Sequence, residues 1–186
     1  MHPVLKRMYS DHKNVALLLQ VMAEELNVFA TSERKPDFRL MREIVEYLQD
    51  FAQDVHHPQE EVLFDRIAAR QEKPAPAIER IRADHGKLAE HHQRVRVEID
   101  QIYNDAMVPR QEIEQVLRQF IQFTREHMEE EEDVLYPLAD RLLDEADWAQ
   151  VEAVRKSLVD PLFGKVVEAE FSRIGERLKE RGLLPG

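Results

Sequence analysis

The sequence predicts an all-α protein, with an up-down-up-down four-helix bundle followed by a C-terminal helical extension. Of the 186 residues, 43% are hydrophobic, 34% are charged and only five are glycine, which is typical of helices with one buried stripe and a charged outer face. Four long segments repeat their apolar residues with the period of an α-helix. The breaks between them are short, and short connections favour antiparallel neighbours in a bundle.

The first two predicted helices run from about residue 5 to residue 30 and from about residue 38 to residue 69. A polar segment separates them, and Asp37 at its end is a suitable N-cap for the second helix. The first helix places His12 on its apolar stripe, and the second places His56 there. We therefore expect both imidazoles to face the core.

The third and fourth predicted helices run from about residue 77 to residue 104 and from about residue 110 to residue 143. A segment that contains proline precedes each of them, and proline is typical of helix boundaries. These helices also carry one histidine each on the apolar stripe, His85 on the third and His127 on the fourth. Each of the four helices thus brings one imidazole to the predicted core.

The character of the chain changes after the fourth helix, and we divide it into a bundle, residues 1–143, and an extension, residues 144–186. The extension contains a shorter helix at about 148–158 and, after a break at 160–164, a last helix at about 165–180. The last helix has an apolar stripe of its own. We expect the extension to pack on the bundle or on a partner subunit, and the second arrangement would give a homodimer.

Charge and composition exclude several classes of function. The formal net charge of −11 argues against a surface that binds nucleic acid or anionic membranes. The chain has no apolar run near the roughly 20 residues of a spanning helix, and its first residues do not have the pattern of a secretory signal, so we expect a cytoplasmic protein. Because the chain has no cysteine, any bound metal must be held by nitrogen and oxygen.

A His-x-x-x-Glu pattern carries little weight alone in this chain, because 37 of the 186 residues are acidic. The placement of the histidines is stronger, since a buried imidazole must satisfy two ring nitrogens. A shared metal satisfies several imidazoles together. Residues four apart lie about 6 Å apart on one helix face, so a histidine and a glutamate at this spacing reach the same cluster.

These arguments predict a metal site of four imidazoles and two carboxylates, which is enough for two metals a few ångströms apart. Nitrogen and carboxylate ligands without sulfur suit Fe or Mn, and Zn by affinity alone. The candidate ligands are His12, His56, Glu60, His85, His127 and Glu131.

The second helix offers two overlapping pairs, His56 with Glu60 and His57 with Glu61. We favour the first pair, because His56 continues the apolar stripe while His57 continues a polar one. Pro58 complicates this choice, since proline removes a backbone donor and disfavours a helical conformation at the residue before it. A kink at Pro58 would bring His57 inward instead.

An internal echo relates the two His-x-x-x-Glu segments. Residues 56–64 resemble residues 127–136 with one residue fewer, which suggests two related half-sites. The chain as a whole resembles the hemerythrin-like HHE cation-binding family, whose pattern is a His, a His-x-x-x-Glu, a His and a second His-x-x-x-Glu on four helices. The matching segments, in order over roughly residues 1–143, are Asp11-His12, His56 to Glu60, Asp84-His85 and His127 to Glu131.

The resemblance implies a non-haem di-iron centre that binds or senses O2, NO or a related small oxidant such as peroxide. It also leaves open an enzyme that acts on O2 or peroxide, a role in iron–sulfur cluster repair, and iron storage or iron-dependent regulation. No separate acid–base or nucleophile pattern in the sequence favours an enzyme. Tyr9, one turn before His12, is a candidate hydrogen-bond partner of the site or a packing residue.

The chain departs from the oxygen-carrying members of that family at one position. They have a second histidine four residues after the one on the third helix, and here that position is Ala89. The family's five-histidine arrangement is therefore not expected, and an open coordination position is. His92 lies about 10 Å along the axis from His85, so we expect it, with His2 and His91, to be terminal or solvated.

Overall fold

The computed structural model describes residues 1–31, 36–71, 76–104, 107–155, 160–164 and 167–184, and all of its regular structure is helical within these ranges. This confirms the predicted all-α bundle. None of the described helices has an apolar stretch long enough to cross a membrane. The α-helices are α1 (Pro3–Thr31), α2 (Phe38–Phe51), α3 (His57–Ala69), α4 (Pro76–Tyr103), α5 (Arg110–Glu130), α6 (Tyr136–Leu142), α7 (Glu145–Val154) and α8 (Ser172–Glu180).

Two of the four long helices contain a π-helical turn. The first π turn, Ala52–His56, joins α2 to α3, and the second π turn, Glu131–Leu135, joins α5 to α6. Each is followed by a proline at the second position of the next α-helix, Pro58 or Pro137. Proline has no N–H to donate to the preceding turn, so that turn can widen to the i→i+5 bonds of a π-helix.

The first π turn corrects one expectation. His57 is helical, with φ −58 and ψ −37, and its N–H bonds to the carbonyl of Ala52. The irregularity therefore lies before His57 and not at the bond between His57 and Pro58. A π turn advances by one residue more than an α turn, so it changes which side chains face the core on either side of it.

Aspartate side chains begin two of the helices. Asp37 caps α2, as predicted, by accepting a hydrogen bond from the N–H of Leu40 at 2.9 Å. Asp144 caps α7 and forms a reciprocal capping box with Asp147. Such caps satisfy backbone donors that a helix start leaves free, and each contributes about 1 kcal/mol.

The buried apolar side chains form two clusters. One contains Leu18, Met22, Leu48, Phe51 and Phe120, among others. The other contains Leu5, Met8, Leu63, Phe64, Leu135, Tyr136 and Trp148, among others. Each long helix passes from one cluster to the other through a short stretch that carries buried or partly buried polar residues. The predicted metal ligands lie in this polar layer.

The C-terminal elements pack on the bundle. Trp148 and Val151 of α7 belong to the cluster around Phe64, and Ile174 and Leu178 of α8 belong to the cluster around Phe51. The predicted helix at 148–158 is α7, which begins earlier, and residues 156–158 lie outside the described ranges. The predicted helix at 165–180 begins later, with a 3-10 turn at Ala169–Phe171 before α8. The division at residue 143 stays a prediction.

Candidate metal centre

All six predicted ligands converge in the polar layer, and His57 joins them. His12 comes from α1, His56 ends the first π turn, and Glu131 begins the second. The side chains of Glu60 and Glu131 are fully buried, and His12, His56 and His127 are less than a tenth exposed. The elements therefore bring together seven side chains, from all four long helices.

The ligand atoms form two groups, and within each group they lie no more than 4.8 Å apart. We call the first the two-histidine position; it consists of His12, His56, Glu60 and Glu131. We call the second the three-histidine position; it consists of His57, Glu60, His85 and His127. Glu60 belongs to both.

The distances between ligand atoms fit side chains that bind a common metal, since they range from the roughly 3.0 Å edge of an octahedron to the roughly 3.4 Å edge of a tetrahedron. Metal–ligand bonds of about 2.1 Å place adjacent ligands of an octahedron about 3.0 Å apart. The observed distances are 2.9 Å for His12 Nε2 to His56 Nε2, 3.2 Å for His56 Nε2 to Glu60 Oε1, 3.3 Å for His12 Nε2 to Glu131 Oε2, 3.4 Å for His85 Nε2 to Glu60 Oε2 and 3.1 Å for His127 Nε2 to Glu131 Oε1.

Both carboxylates are oriented to bridge. Glu60 turns Oε1 toward His56 and Oε2 toward His85, which belong to different positions. Glu131 likewise turns Oε2 toward His12 and Oε1 toward His127. Each glutamate therefore offers one oxygen to each metal position, so both metals would share the same pair of carboxylates.

Several inward-facing atoms make no hydrogen bond within the described residues. They are Glu60 Oε2, His85 Nε2, His127 Nε2 and both carboxylate oxygens of Glu131. A buried polar atom without a partner costs about 1–3 kcal/mol. Five such atoms in one layer are what a metal-binding set shows when its metals are taken away, so the donor set fits a pair of cations.

Carboxylates outside the ligand set hold three of the imidazoles by their other nitrogen. His12 Nδ1 lies 2.8 Å from Glu132, and His85 Nδ1 lies 3.2 Å from Glu61. His56 Nδ1 lies 3.7 Å from Asp11, an ion-pair distance. A carboxylate at Nδ1 orients the ring and leaves Nε2 free to bind a metal.

This arrangement answers the choice between the two overlapping pairs. His56 and His57 both face the centre, one at each metal position, because the first π turn separates their directions. Of Glu60 and Glu61, only Glu60 reaches both positions, while Glu61 contacts His85 Nδ1 on the side away from them. Glu132, which follows the ligand Glu131, is about one-third exposed and contacts His12 Nδ1.

The sequence comparison agrees with this geometry. The model of the hemerythrin HHE cation-binding domain matches residues 3–139, and a second match covers residues 86–156. The chain belongs to this family. No curated protein and no solved structure matches it. Membership in a cation-binding family and the two clusters of histidine and glutamate together indicate a metal site in this HHE domain.

Electrostatics in this HHE domain keep the two carboxylates charged without a metal. Burial and the charge of Glu131 raise the pKa of Glu60, but contacts with His56 and His85 outweigh them and lower it to about 2. Burial also raises the pKa of Glu131, yet His127 and other imidazoles hold it well below its ordinary value. Metal cations would therefore replace protons on the imidazoles and not on the carboxylates.

The imidazoles of His85 and His57 have pKa values that are shifted in opposite directions. Burial lowers the pKa of His85, but the close carboxylates of Glu131 and Glu60 outweigh it and raise the pKa to about 9. Burial and the neighbouring charge of His85 lower the pKa of His57 to about 3. His57 thus stays neutral near pH 7 and has a lone pair ready for a cation, whereas His85 must release a proton first.

His92 corrects another expectation. It is only 4% exposed, and it lines a cavity beside the metal positions, although it was predicted to be solvated. Burial lowers its pKa to about 4, and a hydrogen bond with the Leu88 backbone opposes that shift. Its Nε2 has no hydrogen-bond partner among the described residues. Ala89, where the oxygen carriers have a histidine, is exposed.

Tyr9 and Tyr136 complete the surroundings of the HHE centre. Tyr9, predicted as a partner of the site or as a packing residue, donates to the backbone carbonyl of Glu132 at 3.2 Å and packs edge-on against Tyr136. Tyr136 was not predicted to belong to the site, yet its hydroxyl reaches the two-histidine position. The signal that could have found it is the extra residue in the second half of the internal echo.

Proposed function

We propose that this HHE domain binds two iron ions and that the di-iron centre binds O2, NO or a related small oxidant. The observation that carries the proposal is a cavity of about 40 Å³ that lies directly against the metal positions. Five residues of the ligand set line it: His12, His56, His57, His127 and Glu131. A ligand in this cavity would touch both positions.

The size and lining of the cavity favour a small, weakly polar molecule. One water molecule needs about 10–15 Å³ on this scale, so there is room for a diatomic molecule but not for an organic substrate. The remaining lining is largely apolar and includes Leu48, Phe51 and Leu88. Such walls exclude water from the ligand and from the metals.

A larger cavity lies beside the C-terminal elements, with a volume of about 250 Å³. Tyr47, Arg155 and Asp160 line it together with further acidic residues, and none of its described lining belongs to the ligand set. It therefore supports no substrate at the metals. The small apolar cavity is the one that meets the donor atoms.

Iron suits the donor set better than zinc does. Zinc in proteins is usually tetrahedral, whereas five imidazoles together with two glutamates oriented to bridge offer more donor atoms than two tetrahedral ions need. The absence of cysteine removes thiolate ligands, which leaves imidazole and carboxylate for Fe or Mn. Bound ferrous iron would supply the electrons with which an oxidant is reduced or a diatomic ligand is held.

The chain's own residues then have distinct roles. Glu60 and Glu131 hold the two cations at a fixed separation, and the imidazoles fix their outer faces. Asp11, Glu61 and Glu132 keep three of those imidazoles oriented with Nε2 toward the cations. With seven protein ligands for two six-coordinate cations, coordination positions remain for a small ligand.

Anaerobic iron loading followed by metal analysis and absorption spectroscopy tests the proposal. We expect two irons per chain and visible or near-ultraviolet charge-transfer absorption after oxidation, which changes when azide, NO or peroxide is added. Iron-loaded protein whose spectrum does not respond to any of the three would refute the proposed ligand class. Failure to bind iron would refute the metal assignment as well.

A second candidate function, iron storage or donation for processes such as cluster repair, has one observation in its favour. His57 and His85 of the three-histidine position are only partly buried, so iron there is closer to solvent than iron at the two-histidine position. Transfer of iron to a damaged iron–sulfur protein at a rate faster than spontaneous release would support it. Equal rates with and without the acceptor would argue against it.

A further inference from the structure

Tyr136 is a fully buried phenol whose hydroxyl lies among the donors of the two-histidine position. It donates to Glu60 Oε1 at 2.8 Å and lies 3.1 Å from His12 Nε2. Both of these atoms belong to the ligand set. The two distances match the edges of about 3.0 Å that separate adjacent ligands of an octahedral metal.

The internal echo shows how the chain places this ring. In the first half, Phe64 follows Glu60 by four residues and stacks on His85, with ring centroids 6.1 Å apart and planes at 27°. In the second half, Tyr136 follows Glu131 by five residues and stacks on His12, with centroids 5.4 Å apart and planes at 27°. The two aromatic rings are therefore counterparts.

The second π turn explains why each ring lies one helical turn beyond its glutamate despite the extra residue in the second half. The N–H of Tyr136 bonds to the carbonyl of Glu131, an i→i+5 bond, so the ring lies one turn above the glutamate. Phe64 lies one α turn above Glu60 in the same way. The rings differ in one group, because tyrosine carries a hydroxyl where phenylalanine carries none.

That hydroxyl reaches the position with fewer imidazoles. Two imidazoles serve the two-histidine position, whereas His57, His85 and His127 serve the other. We propose that Tyr136 is itself a metal ligand, and that its phenolic oxygen takes at the two-histidine position the place that a third imidazole takes at the other. Its ring would be held by the stack on His12 and by the edge contact with Tyr9.

Coordination exchanges one bond for another. The oxygen–hydrogen bond of the phenol breaks, an oxygen–metal bond forms, and one proton passes to solvent, so no electron transfer is needed. The inference rests on the proposed iron site. It goes beyond the six ligands that the family pattern supplies, since tyrosine is not part of that pattern.

The ferric form of the full chain tests this proposal, because a phenolate bound to ferric iron gives a visible charge-transfer band. Resonance Raman excitation in that band reports the ring modes of the coordinated phenolate. We expect these modes in the wild-type protein and their loss in Tyr136→Phe, with iron still bound. Tyr9→Phe is the matched control, since it removes the neighbouring phenol and should keep the modes.

The chain has four tyrosines, which gives a second route if Tyr136→Phe does not fold. Replacing the other three, Tyr9, Tyr47 and Tyr103, by phenylalanine leaves Tyr136 as the only phenol. Retained phenolate modes in that variant support the assignment, and their loss overturns it. Modes that persist in Tyr136→Phe also overturn it.

The outcomes separate this inference from the proposed function. A wild-type chain that binds two irons and responds to azide, but shows no phenolate modes, overturns only the role of Tyr136. A chain that binds no iron overturns both.

Discussion

The two metal positions share the carboxylates of Glu60 and Glu131 but differ in how closed they are. Every residue of the two-histidine position is buried, whereas His57 and His85 of the three-histidine position are partly exposed. Burial slows exchange of a bound cation with solvent and strengthens its electrostatic contacts. We therefore predict that metal exchanges more slowly at the two-histidine position, called the closed position below, than at the three-histidine position, called the open position.

The carboxylates that contact the Nδ1 atoms of the imidazoles also differ between the two positions. Asp11 and Glu132 stand behind the two imidazoles of the closed position. Of the three imidazoles at the open position, only His85 has such a carboxylate among the described residues, Glu61, while the Nδ1 of His127, like that of His56, has no hydrogen-bond partner there. Since such partners strengthen metal affinity by about 10–100-fold, the closed position should be the tighter one.

The largest expected effect tests whether Glu60 serves both metal positions. We expect Glu60→Gln to abolish binding at both positions, because an amide is a weak ligand and its NH2 end has no free lone pair to donate to a metal. Glu61→Gln is the matched control, since Glu61 lies outside the ligand set and contacts His85 Nδ1 and Arg82, so it should weaken only the open position. Metal analysis of both variants decides the point, and two tightly bound irons in Glu60→Gln would refute the bridging role.

Removing one imidazole from each position separates the two metals. We expect His57→Leu to leave about one iron per chain, held at the closed position, because the open position loses a ligand. His56→Leu is the counterpart variant and should also leave about one iron per chain, held at the open position. Iron content and the spectrum of each variant test this. If His57→Leu still binds two irons with unchanged affinity, His57 is not a ligand.

Removal of iron should destabilise the fold and should occur in two steps. A ligand present at 100 times its dissociation constant stabilises the folded state by about 2.7 kcal/mol. For a chain of this size, about 2–4 °C of thermal midpoint corresponds to each kcal/mol, so losing two irons should lower the midpoint by roughly 10–20 °C. A chelator should take the open-position iron first. A single release phase would contradict the difference between the positions.

The two positions also predict how the metal-free protein responds to pH. The folded pKa of His85 is about 9, above its unfolded value near 6.5, so its stabilisation is complete below pH 6.5 and is lost as pH rises through 9. The folded pKa of His57 is about 3, below the unfolded value, so its contribution is complete above pH 6.5 and is lost as pH falls.

Metal-free protein should therefore be most stable near pH 6.5, and denaturant unfolding at pH 5, 6.5 and 9.5 measures this. Glu60, with a folded pKa of about 2, adds a further loss only below pH 4.5. His57→Leu should lessen the loss of stability on the acid side, where His92 with a folded pKa of about 4 still contributes, and should leave the alkaline side unchanged. Stability that keeps rising from pH 6.5 to 9.5 would show that His85 is not held in its charged form.

The smallest expected effect concerns the cavity that both positions share. His92→Leu removes a buried nitrogen that lacks a partner, so iron binding should be unchanged. Azide affinity should change by about 2–10-fold, which corresponds to one hydrogen bond of about 0.5–1.5 kcal/mol. His91→Leu, one residue away and outside the cavity lining, is the control. Equal azide affinities in both variants would exclude His92 from ligand binding.

Much of the fold could be predicted from the sequence, because periodicity reports which face of a helix is buried. The four long helices, the cap at Asp37 and the inward direction of His12 and His127 all follow from that pattern. The extension was harder to predict. Its helices are short, and their ends depend on contacts with the bundle that no local pattern contains.

The metal centre contains residues that were not predicted, and two of them follow the π turns, where the helix period changes. Counting by 3.6 places His57 on a polar face, but the first π turn adds a residue and brings both His56 and His57 inward. The same reasoning missed Tyr136, which follows the second π turn. His92 was missed for another reason, since its environment is a cavity formed by several helices.

The second π turn also shows how a helix of this fold can accommodate an inserted residue. An extra codon inside an α-helix normally rotates every later side chain by about 100° and exposes the buried face. Between Glu131 and Tyr136 that extra residue is absorbed, because the wider turn returns the aromatic ring to the place where Phe64 stands in the other half. One residue can thus be inserted at this turn, and the side chains after it still face the core.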